Sequence, residues 1–103
     1  MPLVSKLTEY VSNQPTSFHM PGHKGGKQFP DPLPFLLQLD LTEVPGLDNL
    51  QAPEGAIREA QRSAAQAFQS DACFFLVNGS TSGIHIMMMS TFLPGDQVLV
   101  PRN

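Results

Sequence analysis

The stretch Cys73-Phe-Phe-Leu-Val-Asn-Gly-Ser-Thr-Ser-Gly83 decides the fold prediction for this chain. Residues 73–77 are a short, wholly apolar run, which is typical of a strand that is covered on both faces. Small and polar residues follow in 78–83, and residues 84–92 then predict a buried helix. Residues 97–100 predict a second strand. Because strand, loop, helix and strand make a βαβ unit, the predicted fold class is α/β.

The loop 78–83 has the composition of an anion-binding loop. The first N–H groups of a helix have no partner within it, the helix dipole adds roughly half a positive charge, and hydroxyl groups supply more donors. Open α/β sheets also bind ligands at the carboxyl ends of their strands. The alternative is that Ser80, Thr81 or Ser82 only caps the helix. Neither the Walker A nor the G-x-G-x-x-G spacing is present, so nucleotide binding is disfavoured.

The part of the chain before this stretch divides near residue 52. Residues 3–11 predict a short amphipathic helix, and residues 16–52 are rich in Pro and Gly, which excludes long elements and predicts an irregular arm. From Pro53 to about residue 69 the pattern predicts a helix, with Pro53 at its first position and an alanine-rich stripe on one face. The predicted division is therefore 1–52 and 53–103.

The composition narrows the class of protein. The chain has 103 residues, a net charge of -3 and six scattered Lys and Arg residues, so nucleic-acid binding is not predicted. A single cysteine, Cys73, lies in the apolar run and predicts a buried thiol in a reducing compartment. No signal peptide or apolar stretch of about 20 residues is visible, so a cytoplasmic protein without a membrane segment is expected.

Five landmarks follow one another in order along the chain. They are Ser17-Phe-His-Met-Pro-Gly-His-Lys-Gly-Gly26, Asp40-Leu-Thr-Glu43, Gly46-Leu-Asp48, Phe74-Phe-Leu-Val-Asn-Gly-Ser-Thr81 and Pro94-Gly-Asp-Gln-Val-Leu-Val-Pro-Arg-Asn103. With these landmarks the chain resembles the Orn/Lys/Arg decarboxylases, and in particular the shorter subgroup without an N-terminal wing domain.

The resemblance implies a fold, a cofactor and a site. The fold is that of a fold-type-I, aspartate-aminotransferase-like enzyme, with residues 53–103 as the start of the domain that binds pyridoxal 5'-phosphate. Ser80, Thr81 and Ser82 would contact the cofactor phosphate through N–H and hydroxyl groups. The substrate would be arginine, lysine or ornithine, the product a polyamine or its precursor, and the complete enzyme a homo-oligomer.

The resemblance also implies which functional residues are missing. The family's ring-stacking histidine, the aspartate facing the ring nitrogen and the lysine that bonds to the cofactor all come after the Pro-Arg-Asn segment. We therefore predict no catalytic residue in this chain and expect a truncated piece that is inactive alone. The chain departs from the family's pattern at Gln69, His85 and Met87–Met89. These departures affect packing more than chemistry. The alternatives are another fold-type-I enzyme, namely an aminotransferase or a carbon–sulfur lyase, or a non-catalytic remnant.

Two groups of polar residues in the arm have alternative interpretations. His19 and His23 have a metal-ligand spacing, but Pro21-Gly22 breaks the helix that this spacing requires, so no metal site is predicted. The resemblance implies instead that the arm 18–26 packs over the cofactor site or at a subunit boundary. Lys24 is interpreted as solvated or facing an anion, because a Gly-flanked loop provides neither the burial nor the nearby cations of a covalent cofactor lysine.

Three acidic residues of the arm, Asp40, Glu43 and Asp48, predict caps and turn formers, with direct substrate contact as the alternative.

Overall fold

The structure is a computed structural model that describes residues 1–101, so Arg102 and Asn103 of the fifth landmark lie outside it. The described elements are α1 (Pro2–Ser12), a short 3-10 turn (Lys24–Gly26), α2 (Leu33–Leu37), α3 (Ala56–Phe68) and α4 (Gly79–Thr91). The contacts divide the chain into one unit that comprises Met1–Cys73 and a second that begins at Phe74.

The first unit is built on the packing of α1 against α3. Ala65 of α3 is 8% exposed, because alanine lets the two helices approach closely. Helix α3 ends at Phe68, and the left-handed φ of 53° at its C-cap residue Gln69 lets the Ser70 N–H donate to the Ala65 carbonyl at 2.9 Å. The two helices predicted in this unit are therefore confirmed, but the prediction of Pro53 as the first residue of α3 is wrong, since the helix begins at Ala56.

The arm between α1 and α3 contains only the 3-10 turn and the five-residue α2, as the Pro and Gly content predicts. These two elements pack together at Gly26, which is buried. Its φ is +72°, and a Cβ there would lie 2.8 Å from Leu37 Cβ and 3.1 Å from Pro34 Cα. Glycine is therefore required at this position for both conformation and space.

The second unit contains α4, which begins at Gly79 and not at residue 84 as predicted. The small residues that predict a loop form the first helical turn instead, and within it Ser82 Oγ donates to the Gly79 carbonyl at 2.7 Å. The predicted burial of this helix is also wrong: Met89 is 84% exposed and His85 is exposed. The reason is that α4 has no second helix or strand within its own unit to pack against in the described residues.

The two predicted strands, 73–77 and 97–100, have no strand hydrogen bonding in the described part of the chain. A strand exists only where a neighbouring strand pairs with its backbone, so the α/β fold class stays a prediction. Cys73 is a free, partly buried thiol. None of the helices within residues 1–101 combines the length and the apolarity that crossing a membrane requires.

Candidate functional site

The first turn of α4 brings together the three residues that the sequence predicts as phosphate ligands. Ser80, Thr81 and Ser82 are consecutive in this turn, and the first two are exposed. Among residues 1–101, no acceptor lies within hydrogen-bond distance of the hydroxyl groups of Ser80 and Thr81. Two hydroxyl groups are therefore free to donate to a ligand.

The backbone of this turn is also open. Asn78 is the N-cap residue, yet its side chain makes no capping hydrogen bond. The N–H groups of Gly79, Ser80 and Thr81 meet no acceptor from the part of the chain that the structure describes. The capping alternative is therefore wrong for this structure, because none of the three hydroxyl residues accepts a hydrogen bond from the helix backbone.

Gly79 sets the direction in which the chain enters α4. Its φ is +79°, a left-handed conformation that favours glycine, and a Cβ built there would meet no atom within 4 Å. The glycine is therefore needed for conformation and not for close packing. A phosphate group fits this donor set of N–H groups, hydroxyls and helix dipole.

The N-terminus of α3 holds an anion of its own, the Asp48 carboxylate. Its Oδ2 accepts from the N–H groups of Gly55 at 2.9 Å, Ile57 at 2.8 Å and Arg58 at 3.3 Å. Its Oδ1 accepts from the N–H groups of Glu54 and Asn49, each at 2.9 Å. The interpretation of this residue as a cap is confirmed.

These hydrogen bonds change the titration of Asp48. The N–H of Glu54 contributes most, and the N–H groups of Asn49, Ile57 and Arg58 add to it, so the pKa of this carboxyl lies well below its usual range despite the opposing effect of partial burial. Glu43 has the same kind of role, because its Oε1 accepts from the Leu50 N–H at 2.9 Å.

The histidines of the arm face separate partners. His19 Nε2 lies 3.1 Å from the Tyr10 hydroxyl, and His23 Nε2 lies 3.1 Å from Asp40 Oδ2. Lys24 Nζ donates to the His19 carbonyl and the residue is exposed. Within residues 1–101, no three His, Cys, Asp or Glu side chains are placed to hold a metal ion.

A cleft of about 750 Å³ lies in the first unit and contains some of these groups. Tyr10, His19, Lys24, Lys27 and Asp40 are among its lining residues. Both lysines are exposed, and Asp40 contributes an opposing charge, so the cleft has no clear preference for one sign of charge.

A helix start with open N–H groups, hydroxyls and a left-handed glycine has the kind of donors that anion sites at helix N-termini use. The family model described as Orn/Lys/Arg decarboxylase, major domain, matches residues 1–103. The chain belongs to the Orn/Lys/Arg decarboxylase family, which confirms the resemblance seen in the five landmarks.

The similar proteins are decarboxylases of basic amino acids. The chain is 42% identical over 107 residues to the arginine decarboxylase of Bacillus subtilis, with 99% of this chain and 22% of the relative covered. It is 44% identical over 108 residues to the arginine decarboxylase of Bacillus cereus, with 99% and 23% covered.

A more distant relative is the inducible ornithine decarboxylase of Escherichia coli, which is 33% identical over 113 residues, with 99% of this chain and 15% of the relative covered. The chain thus spans less than a quarter of the length of each of these relatives. No solved structure matches it.

Proposed function

We propose that this chain is the N-terminal part of a pyridoxal-phosphate-dependent decarboxylase of arginine, lysine or ornithine, and that Ser80, Thr81 and Ser82 bind the cofactor phosphate. The observation that carries the proposal is the open first turn of α4, with free N–H groups and two free hydroxyls. The names of the relatives support the reaction class and the choice of basic amino acids.

The residues of this turn would hold and orient the cofactor. The N–H groups of residues 79–81 donate to phosphate oxygens, the hydroxyls of Ser80 and Thr81 add donors from the side, and the helix dipole favours the negative charge. Ser82 binds through its N–H or after its hydroxyl leaves the Gly79 carbonyl. Bound pyridoxal phosphate supplies an electron sink for the loss of the substrate carboxylate as carbon dioxide.

The proposal extends to a longer protein of which this chain would be one part, which we call the complete enzyme. We expect that protein to have the fold-type-I α/β fold, to form a homo-oligomer, to act in the cytoplasm and to obtain its catalytic lysine from residues outside this chain. Assays of carbon dioxide release from arginine, ornithine and lysine would identify the substrate. Amino transfer, or carbon–sulfur cleavage, without decarboxylation would instead support the alternative fold-type-I activities.

The phosphate site is tested by a triple replacement of Ser80, Thr81 and Ser82 by Ala in the complete enzyme. Each lost hydrogen bond to a charged group weakens cofactor binding by about 1.5 to 3 kcal/mol before non-additivity, and the backbone donors remain. Equilibrium dialysis of pyridoxal phosphate should therefore show weaker but measurable binding.

The matched control is the double replacement of Ser90 and Thr91 by Ala. These hydroxyls lie at the other end of the same helix, where both donate to the Met87 carbonyl. Cofactor affinity should be unchanged in this variant. If the triple variant also binds the cofactor normally, the loop has a structural role only and the proposed site is wrong.

A further inference from the structure

Gly83 lies in α4 directly after the three hydroxyl residues, and its backbone conformation does not explain why this position holds a glycine. It is not among the glycines with positive φ. Glycine destabilises a helix relative to alanine when the backbone is helical. The presence of glycine at this position therefore needs a reason other than φ.

The space around Gly83 provides that reason. A Cβ at residue 83 would overlap Leu76 Cδ1, whereas it would lie 3.6 Å from Leu76 Cγ and 3.9 Å from Cδ2, which are ordinary contacts. One methyl group of Leu76, at the far end of a half-exposed side chain, thus occupies the position that a side chain at residue 83 would take, and it would have to rotate away to admit a Cβ. The contact joins the apolar run 73–77 to the first turns of α4.

We propose that Leu76 and Gly83 form a size-matched contact that positions the phosphate-binding turn, which makes both of them positioning residues for the cofactor. Leu76 lies two residues before Asn78, and Gly83 lies one residue after Ser82. The contact therefore closes the segment 77–82 at both ends and sets the direction of its free N–H groups. This inference rests on the proposed function, because it assumes that the turn binds phosphate.

The replacement Gly83→Ala in the complete enzyme separates this role from helix propensity, because the two effects have opposite signs. Alanine favours the helix, so the protein without cofactor should melt at the same or a higher temperature. When Leu76 moves away, the contact that positions the turn is lost, so pyridoxal phosphate binding should weaken roughly tenfold. Melting of the cofactor-free protein and equilibrium dialysis measure the two effects separately.

The second variant tests whether Leu76 is the cause. Valine lacks the Cδ1 atom that a Cβ at residue 83 would overlap, so Leu76→Val in the Gly83→Ala background should restore the affinity to within about threefold of the parent. The control is Ser90→Ala, since Ser90 is exposed at the far end of the same helix and its hydroxyl donates only to the Met87 carbonyl. That control should bind the cofactor normally.

The outcomes distinguish this contact from the site on which it rests. If the triple Ser/Thr variant binds weakly while Gly83→Ala binds normally, the contact has no positioning role and the phosphate site stands. A loss in Gly83→Ala that Leu76→Val does not restore also overturns the contact. If the triple variant binds normally, the proposed site and the positioning role both fail.

Discussion

The starts of α3 and α4 differ in whether the chain itself satisfies their first N–H groups. At α3, Asp48 supplies a carboxylate from the chain itself and occupies the N–H groups of Gly55, Ile57 and Arg58. At α4, no side chain caps the helix in the described residues, and hydroxyl groups stand beside open N–H groups. The N–H groups at the start of α3 are therefore satisfied within the chain, whereas those at the start of α4 stay open in the described residues, as the proposed phosphate site needs.

The largest expected effect comes from giving α4 a carboxylate of its own. In the complete enzyme, Asn78→Asp places a negative charge at the N-cap position and makes α4 resemble α3. Two charges about 4 Å apart repel by about 4 kcal/mol at an effective dielectric constant of about 20, and solvent screens part of this. We expect about a hundredfold weaker binding of pyridoxal phosphate by equilibrium dialysis.

The control for this variant is Asn78→Ser, which caps the helix without adding charge. It should bind the cofactor within about threefold of the parent, since a neutral cap adds no repulsion. If the aspartate and serine variants bind equally well, the start of α4 is not the anion site.

The next largest effect is expected when a substitution removes the Asp48 carboxylate from the start of α3. In Asp48→Ala, the N–H groups of Glu54, Gly55, Ile57 and Arg58 lose their acceptor. Amide hydrogen exchange in the complete enzyme should therefore become faster across these four residues together. Glu43→Ala removes a single acceptor, that of the Leu50 N–H, and should accelerate exchange only near Leu50. Unchanged exchange at residues 54–58 would show that the cap does not stabilise α3.

A smaller effect is the pH dependence that Asp48 confers on the stability of the fold. Its pKa is lowered in the folded state, chiefly by the Glu54 N–H, relative to about 3.9 in an unfolded chain. The stabilisation is therefore fully present above the unfolded pKa and is lost as the pH falls from there through the folded pKa. The difference in urea midpoint between the parent and Asp48→Asn should be constant above about pH 5 and shrink below pH 4. A constant difference down to pH 2 would contradict this.

The smallest effect is expected at Lys24, which tests whether the first unit takes part in the cofactor chemistry. Lys24 is exposed and its amine donates to the His19 carbonyl. Borohydride reduction of the complete enzyme with pyridoxal phosphate, followed by mass spectrometry, should give the same stoichiometry of labelling in Lys24→Ala as in the parent. Loss of one equivalent of label in the variant would make Lys24 the covalent cofactor lysine.

Local patterns in the sequence determined much of this protein. The periodicity of apolar residues located α1 and α3, and the Pro and Gly content excluded long elements from the arm. The composition of residues 78–83 predicts the anion site. The five landmarks identified the family, which the family model confirms over residues 1–103. These properties depend on residues that are close together in the sequence.

The tertiary structure alone decided how separate segments meet. It placed the Asp48 carboxylate on a helix that begins eight residues later, and so moved the start of α3 from Pro53 to Ala56. It made Gly79–Ser82 the first turn of α4. It also placed the Leu76 side chain in the space that a side chain at residue 83 would fill. Periodicity could not predict the Asp48 cap or the Leu76 contact, because each depends on a chain reversal that brings a side chain against backbone several residues away.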